Sequence, residues 1–342
     1  NTYTITVRAT NTGGLSATDQ ATVAIDTAAP GATFDYTSPV TEGISISLAL
    51  VDPVDPGSAD TFEYAFDCGD GYGAFGAANT TACPTTDNGS RTVGGMIRDD
   101  DGGMREYTHT VTIENADPEA TFEYTSPVTE GTSISLALVA PVDPGSADTF
   151  EYAFDCGDGA GFGASNAATC PTIDNGTRTV RATIRDDDGG QTEYTATVMT
   201  ENAAPTATFS ASTYALISGE STILAFSNPV DSSPADIAAG LRYAYDCAGD
   251  GSFELGDTAN TSYLCDYPIA GVFTASGRVQ DKDGGYTDYA LQIAVLAPRD
   301  AIDGLTQAVN DLVDSGVLSR RQGILLAGTL QIAARQVERG NS

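Results

Sequence analysis

Three short acidic turns place carboxylate side chains at the same position of a repeated sequence. They read Asp99-Asp-Asp-Gly-Gly, Asp186-Asp-Asp-Gly-Gly and Asp281-Lys-Asp-Gly-Gly, so the first and third residues stay acidic while the middle one varies. A shared task such as binding a hard cation through oxygen explains this pattern, because calcium prefers oxygen ligands. The sequence therefore predicts calcium at or near six residues: Asp99, Asp101, Asp186, Asp188, Asp281 and Asp283.

A second interpretation of these turns is purely structural. Asp-Gly favours tight hairpins, and aspartate side chains accept hydrogen bonds from their own turn. The chain also lacks the twelve-residue pattern of a helix-loop-helix calcium site. If calcium binds, the candidates for further ligands are Asp60, Asp148, Asp236, Asn115 and Asn202. Three other aspartates are expected to hold turns: Asp67, Asp155 and Asp246.

The six cysteines fall in pairs, two in each full copy of the repeat: Cys68 and Cys83, Cys156 and Cys170, Cys247 and Cys265. Each pair closes a loop of about 15 residues, and a disulfide across such a loop stabilises a domain by roughly 3 kcal/mol. Metal ligation by thiolates is the alternative, but Cys-x-x-Cys is absent and the only histidine, His109, lies far from any pair. We predict three disulfides, which need an oxidising compartment.

The charge of the chain limits its partners. Fifteen basic residues stand against 47 acidic ones, giving a formal net charge of −32, and Lys282 is the only lysine. Nucleic acid and anionic membrane surfaces repel such a chain. No run of about 18 apolar residues is present, so we also expect no membrane insertion.

Catalytic motifs are not evident. One histidine excludes a three-histidine zinc site, the cysteines are assigned to disulfides, and neither Gly-x-Ser-x-Gly nor a phosphate-binding glycine loop occurs. Paired carboxylates are abundant, but acid-base catalysis also needs a water-shielded pocket that perturbs them. We therefore predict that the chain is not an enzyme.

An internal repeat organises these residues. Residues 32–117 and 120–204 are near-copies, and a more divergent third copy runs from Ala207 to about Ala297. Short alternating segments separated by Gly, Pro, Asp and Asn clusters predict strands at Ala32–Tyr36, Ile44–Leu50, Phe62–Cys68, Arg91–Arg98 and Glu106–Ile113. About seven strands in 88 residues is the spacing of an immunoglobulin-like sandwich, and a period this long lets each copy close its own core.

The fold class predicted is all-β: tandem immunoglobulin-like sandwiches in a row, plus a small C-terminal helical hairpin. The expected domains are a hairpin from a preceding repeat at 1–29, three sandwiches at 30–117, 118–204 and 205–297, and the helices at 298–342. The hairpin spans residues 3–25 around a Gly-Gly turn and cannot stand alone. We expect the sequence to be a piece of a longer protein, or a subunit completed by another chain. Proline at 30, 118 and 205 stiffens the joints.

Three stretches carry a family resemblance. Phe62-Glu-Tyr-Ala-Phe-Asp-Cys-Gly-Asp-Gly71 returns unchanged from Phe150, and Arg242-Tyr-Ala-Tyr-Asp-Cys-Ala-Gly-Asp-Gly251 is a variant. With the Asp-Gly-Gly turn that follows in each copy, they resemble polycystic kidney disease (PKD) domains over residues 31–297. The resemblance implies a seven-strand sandwich in a secreted or surface protein, used as a spacer, adhesive or carbohydrate-associating module. Departures are the cysteine after the motif aspartate and the extra Ala248.

The tail resembles the helical FIMAH-type domain of bacterial surface and secreted proteins. Independently, a first helix is predicted from an apolar face that ends at Gly316: Ile302, Leu305, Val309 and Leu312. Ser319 and Gln322 form a capping box for a second helix that runs to about Glu338. Its apolar stripe comprises Leu326, Leu330, Ala333 and Val337.

The leading functional hypothesis is a non-catalytic spacer of an extracellular or cell-surface bacterial protein. Exposed strand edges in the first hairpin favour self-association, so a filament or appendage subunit assembling through the hairpin and the helical tail is a sub-hypothesis. The alternative is a calcium-dependent adhesin or a polysaccharide-binding accessory module. Carbohydrate platforms usually need exposed aromatics, and the absence of tryptophan disfavours that alternative.

Overall fold

The computed structural model describes residues 2–24, 28–56, 60–159 and 161–339. The chain forms two compact units: Asn1–Tyr124 with Leu136–Ala168 and Thr179–Ala196, and Thr125–Ser135 with Thr169–Arg178 and Thr197–Ser342. Both units contain parts of the second copy, so the predicted domain boundaries stay a prediction. The predicted hairpin end at Ile25 and the start of the first joint at residues 26 and 27 lie outside the described residues.

The N-terminal hairpin consists of β1, Thr2–Thr10, and β2, Ser16–Ala24, paired antiparallel. Its turn is held by Asn11, whose Oδ1 accepts hydrogen bonds from the backbone N–H groups of Gly13 and Leu15. Every residue of β1 is exposed, including the apolar alternation Tyr3, Ile5 and Val7. The hairpin therefore leaves an apolar strand face open to solvent.

The first copy contains seven strands in two sheets. The strands are β3 Gly31–Tyr36, β4 Val40–Thr41, β5 Ile46–Val54, β6 Phe62–Asp67, β7 Thr80–Cys83, β8 Gly89–Asp99 and β9 Met104–Glu114. One sheet has the order β3-β5-β7 and the other β4-β9-β8-β6. Neighbours are antiparallel except β4, which pairs with β9 in parallel. Two facing antiparallel sheets with this order form an immunoglobulin-like sandwich.

The other two copies repeat this plan. The second has β10 Glu119–Tyr124, β11 Val128–Thr129, β12 Ile134–Val142, β13 Glu151–Asp155, β14 Ala167–Cys170, β15 Gly176–Arg185 and β16 Gln191–Glu201. The third has β17 Thr206–Ala211, β18 Ala215–Ile217, β19 Glu220–Val230, α1 Pro234–Ala239, β20 Arg242–Asp246, β21 Leu255–Thr258, β22 Ser262–Tyr267, β23 Gly271–Gln280 and β24 Tyr286–Leu296. Their sheets are β10-β12-β14 with β11-β16-β15-β13, and β17-β19-β22 with β18-β24-β23-β20-β21. The predicted all-β fold class is confirmed.

The core of the first copy follows from strand alternation. Because side chains point alternately to the two faces of a strand, Ile46, Leu48 and Leu50 of β5 all enter the sandwich and are fully buried. Ile46 and Leu48 pack in one cluster with Val93 of β8. Complete burial of one such side chain contributes about 1.5–3 kcal/mol. The alternation of β5 therefore places its apolar side chains in the core of the first sandwich.

A tyrosine hydroxyl fastens the first strand of each copy to the last. The hydroxyl of Tyr107 in β9 accepts a 2.8 Å hydrogen bond from the backbone N–H of Ala32 in β3. The same bond, also 2.8 Å long, recurs in the other copies, from Ala120 to Tyr194 and from Ala207 to Tyr289.

All six cysteines are disulfide-bonded. Cys68 is bonded to Cys83 and Cys247 to Cys265, as the spacing predicts. Cys83 is fully buried at the end of β7, so this bridge belongs to the core of the first copy.

The tail is the predicted helical hairpin, formed by α2, Pro298–Asp314, and α3, Arg320–Glu338. Both bonds of the capping box between Ser319 and Gln322 are present. The first helix begins at Pro298, before the predicted apolar face, because proline is well suited to the first helical position. Among the described residues, no helix has the length and apolar character needed to cross a membrane.

Candidate metal centres at the joints

Two joints link the three copies: joint 1 at residues 114–118 and joint 2 at residues 201–205. Each joint and its surrounding residues lie within one compact unit. The second and third acidic turns lie beside joints 1 and 2, because each turn connects the last two strands of its copy at the end where the chain enters. The first turn lies instead beside residues 28 and 29, at the entry of the first copy.

The first aspartate of each turn is buried and holds the turn. Asp99 Oδ1 accepts a hydrogen bond from the N–H of Gly103, Asp186 Oδ1 from Gly190 and Asp281 Oδ1 from Gly285. These aspartates belong to none of the acidic groups that could hold a metal among the described residues.

Two of these aspartates, Asp186 and Asp281, also fasten their turn to the joint. Asn115 donates a hydrogen bond from Nδ2 to Asp186 Oδ2, and Asn202 donates one to Asp281 Oδ2. The two amides predicted as metal ligands thus use their nitrogen to bridge adjoining copies. At Gly190 a Cβ atom would overlap Asp186 Oδ2 and lie 2.6 Å from Asn115 Nδ2, which explains the second glycine of the turn.

A buried glutamate comes from the other side of joint 1. The parallel pairing of β4 with the end of β9 places Glu42 beside the chain as it leaves the first copy. Its N–H donates to Glu114 O, and its Oε1 accepts a 2.8 Å hydrogen bond from Ala116 N. Glu42 is fully buried, yet Oε2 has no hydrogen-bond partner. A buried carboxylate oxygen without a partner is costly unless a cation or proton compensates it.

Two aspartates of the second copy face this oxygen. Asp143 follows β12 and Asp148 precedes β13, and one carboxylate oxygen from each lies within 4.8 Å of the other and of a Glu42 oxygen. Asp143 Oδ2 and Asp148 Oδ2 are also buried without hydrogen-bond partners. We call Glu42, Asp143 and Asp148 subsite A. Calcium–oxygen distances are about 2.3–2.6 Å, so oxygens this close together fit around one ion.

A second acidic group adjoins the first and shares Asp148. Asp87, in the connection between β7 and β8, and Asp188, the third residue of the acidic turn, each place an oxygen within 4.8 Å of Asp148 and of each other. We call Asp87, Asp148 and Asp188 subsite B. Joint 1 thus collects five carboxylates from two copies.

Joint 2 has the same two groups, which we call subsites C and D. Subsite C consists of Glu130, Asp231 and Asp236, and subsite D of Asp174, Asp236 and Asp283. Glu130 is 1% exposed, its N–H donates to Glu201 O, and its Oε1 accepts from Ala203 N at 2.9 Å. Its Oε2 has no hydrogen-bond partner. Subsite C therefore reproduces subsite A.

Subsite D differs from subsite B because the side-chain ammonium of a lysine lies among its carboxylates. The Lys282 ammonium lies 2.6 Å from Asp174 Oδ1 and 2.8 Å from Asp236 Oδ1, and it also pairs with Asp283. At the corresponding place in the second copy stands Asp187, whose Oδ1 accepts a hydrogen bond from Thr149 N.

Three carboxyl groups of subsites A and C have raised pKa values, chiefly because they are buried. Burial raises the pKa of Glu42 and of Glu130, against the effect of the backbone bond that each accepts. Burial, then the charge of Glu42, raises the pKa of Asp148 to about 7. In subsite D the effect is reversed, because the hydrogen bond from Lys282 lowers the pKa of Asp174.

The six aspartates predicted as calcium ligands thus divide by position. The third residue of a turn joins an acidic group in two copies, as Asp188 and Asp283. Asp186 and Asp281 serve the turn and the joint, and Asp99 and Asp101 join no such group among the described residues. Calcium binding by these residues stays a prediction.

Sequence reasoning missed six of the ten residues in these subsites: Glu42, Asp87, Asp143, Glu130, Asp174 and Asp231. One signal was available, because Thr-Glu-Gly recurs at Glu42 and Glu130, while the third copy has Ser218 at this place. Ser218 N donates to Leu296 O as Glu130 N does to Glu201 O, which establishes the equivalence.

Solved structures of multidomain β-proteins are similar to the chain. Fibronectin(III)-like modules of Clostridium thermocellum CbhA match at 17% identity, covering 52% of this chain and 96% of theirs, with a TM-score of 0.23. Three N-terminal domains of the bacteriophage RB49 outer capsid protein Hoc match at 12% identity, with coverages of 79% and 99% and a TM-score of 0.25. Extracellular cadherin domains 3–6 of protocadherin gamma B2 match at 13% identity, with coverages of 86% and 83% and a TM-score of 0.27.

No protein-family profile and no curated protein matches the sequence. Because these TM-scores are below 0.5, the fold is assigned from the order of the strands and not from these matches. On that order, the chain is a tandem immunoglobulin-like β-domain protein with a C-terminal helical hairpin.

Proposed function

We propose that this chain is a non-catalytic spacer of an extracellular protein, whose sandwich domains at 30–117, 118–204 and 205–297 are held at their joints by calcium. The observation that carries the proposal is the buried Glu42, which fastens joint 1 with one carboxylate oxygen and turns the other, unpartnered, toward Asp143 and Asp148. Because Glu42 both holds the backbone of joint 1 and contributes to subsite A, binding of an ion there would stiffen the joint.

The disulfides support the location. Three bridges in one chain form and persist in an oxidising compartment. A sandwich with its own disulfide also tolerates protease-rich and denaturing surroundings better than one without, because the bridge restricts the unfolded chain.

Calcium fits the joints better than magnesium. Subsite A offers only oxygen donors, contributed by two copies and spread over as much as 4.8 Å. Magnesium needs near-ideal octahedral geometry at about 2.0–2.1 Å, whereas calcium accepts irregular sets of six to eight oxygens at longer distances. Glu42, Asp143 and Asp148 would hold the ion, and the ion would compensate their charge.

The finer assignments rest on the sequence motifs. The aspartate of the Gly-Asp-Gly stretch, Asp67, accepts hydrogen bonds from Gly69 and Gly71, and Asp155 accepts them from Gly157 and Gly159. This turn geometry supports a PKD-type assignment of the copies. The capping box at Ser319 and the two-helix arrangement support a FIMAH-like tail.

Assembly through the first hairpin is a second candidate function. Tyr3, Ile5 and Val7 are each more than half exposed on one strand. A strand or sheet added from a second copy of the chain would cover them, giving a filament or appendage subunit. Light scattering over a range of protein concentrations tests this role: a monomer at all concentrations contradicts it, and Ile5→Asp should dissociate an assembly.

Calcium titration of the chelator-treated full chain by isothermal calorimetry tests the main proposal. We expect binding, its weakening in Glu42→Gln, and no effect of Glu123→Gln, which neutralises an exposed glutamate of β10. Proteolysis after Glu114 by a glutamate-specific protease should accelerate when calcium is removed. A wild-type chain that binds no calcium, or whose joint is cut equally with and without it, contradicts the proposal.

A further inference from the structure

We infer that the two joints take different numbers of divalent cations, because the Lys282 ammonium replaces the ion of subsite D whereas subsite B binds one. This inference rests on the proposed function and extends it from the buried subsites A and C to the outer pair.

Subsites B and D occupy equivalent places in successive copies of the repeat. Asp87, Asp148 and Asp188 of subsite B correspond to Asp174, Asp236 and Asp283 of subsite D in their places along the two copies, and each trio meets the same 4.8 Å limit. Three carboxylates converge on one point in both joints. In subsite D that point is where the Lys282 nitrogen lies, so the trio binds a cation there.

Subsite B has no such amine. The residue in the place of Lys282 is Asp187, which is exposed and adds negative charge instead of removing it. Asp148 is partly buried and belongs to subsites A and B together, whereas Asp87 and Asp188 are exposed. The counterpart Asp236 is fully buried; its Oδ1 forms an ion pair with Lys282 at 2.8 Å, and its Oδ2 has no hydrogen-bond partner. We infer that a bound divalent cation takes in subsite B the place that this ammonium takes in subsite D.

The ligand class follows from the donors. Carboxylates without sulfur or imidazole select hard cations, and the Asp148 shared between two subsites suits a pair of divalent ions bridged by one carboxylate. We assign calcium to subsites A and B of joint 1 and to subsite C of joint 2. Joint 2 therefore keeps the ion pairs of Lys282 when calcium is scarce, whereas joint 1 has no ammonium group at the corresponding place.

Exchanging the two residues tests the inference. The number of calcium ions bound per chain is measured by equilibrium dialysis and native mass spectrometry on the full chain. Lys282→Asp and Lys282→Met should each bind one ion more than the wild type, because both remove the ammonium from subsite D. Lys282→Met adds no carboxylate, so a gain in that variant cannot come from a new ligand. Asp187→Lys should bind one ion fewer, because its amine can reach subsite B. Asp19→Lys makes the same charge change in the first hairpin and should leave the number unchanged.

The outcomes separate the inference from the proposed function. If the wild type binds calcium but neither Lys282 variant gains an ion and Asp187→Lys loses none, the inference is wrong and the proposed function stands. If the wild type binds no calcium, both are wrong. Hydrogen exchange gives an independent reading: removing calcium should increase exchange at Ala147 N, which bonds Thr86 O across joint 1, more than at Ala235 N, which bonds Ile173 O across joint 2.

Discussion

Asn115 Nδ2 lies 3.1 Å from Asp186 Oδ2, and this hydrogen bond joins the chain leaving the first copy to the last turn of the second. Asn202 and Asp281 make the same bond at 3.0 Å one copy later. The joints are therefore built from specific polar contacts as well as from proline.

Removing this amide should weaken the joint. Asn115→Ala leaves Asp186 Oδ2 without its donor, and losing a hydrogen bond to a charged group costs about 1.5–3 kcal/mol. Urea unfolding should show a loss in the free energy of unfolding of that order. Asn310→Ala, at an exposed position of α2, is the matched control and should change it by less than about 0.5 kcal/mol. Equal losses in the two variants would contradict the role of Asn115.

The acidic clusters predict an unusual pH dependence when calcium is removed. The pKa of Asp148 is about 7 in the folded chain, above its ordinary value of 3.8. Between those values the folded state binds more protons than the unfolded state, so the free energy of unfolding should fall as pH rises from about 4 to about 7. Urea unfolding in chelator at several pH values measures this slope.

Asp148→Asn should remove the part of that slope between pH 6 and 7. Asp60 provides the comparison, because its pKa is raised only to about 6, chiefly by a hydrogen bond with Asp55. Asp60→Asn should therefore flatten the slope only below about pH 6. If the free energy of unfolding of Asp148→Asn still falls between pH 6 and 7 as steeply as that of the wild type, groups other than Asp148 cause the pH dependence.

The disulfides should act locally. Replacing Cys68 and Cys83 together by alanine opens a loop whose ends are 15 residues apart, at a cost of about 3 kcal/mol. Far-ultraviolet circular dichroism should then show an early transition on heating. Replacing Cys247 and Cys265 together should instead make the third copy the most sensitive to protease. Mass spectrometry of the proteolytic fragments shows which copy is cut in each double variant. Identical fragments from both variants would argue against separately stabilised copies.

The second glycine of the acidic turn should not accept a side chain. A Cβ atom at Gly190 would crowd Asp186 Oδ2, Asn115 Nδ2 and the carbonyl oxygen of Ala116. Gly190→Ala should cost about 1–3 kcal/mol, as overpacking commonly does, and speed cleavage within residues 114–118. Gly163→Ala is the control, since nothing lies within 4 Å of a Cβ atom there. If both variants are cut at the wild-type rate, the close approach at Gly190 has no role in the joint.

The sandwich strands could be predicted from sequence wherever alternation runs for five or more residues. The predicted Arg91–Arg98 and Glu106–Ile113 became Gly89–Asp99 and Met104–Glu114, with the ends extended by pairing. The two-residue strand Val40–Thr41 was not predicted, since so short a segment carries no periodicity.

The acidic clusters could be predicted only in part, because their members are distant in sequence. Glu42 and Asp148 are brought together by the end of one copy meeting the start of the next, and no local spacing records that meeting. The Asp-x-Asp-Gly-Gly pattern located the correct end of each copy, but the first aspartate of the turn is occupied by backbone N–H groups. Only the third reaches an acidic group.

The parallel pairing of β4 with β9 has a mechanical consequence. Tension transmitted along the chain enters the first copy through β3, reaches β4 and leaves after β9, so it pulls the paired strands β4 and β9 in opposite directions along their length. Their hydrogen bonds are then loaded side by side and must fail together, instead of opening one after another as at a peeled hairpin. The force at which the copy unfolds depends on the barrier to unfolding. The pairing of Val40–Thr41 with β9 raises the resistance of the first copy to stretching.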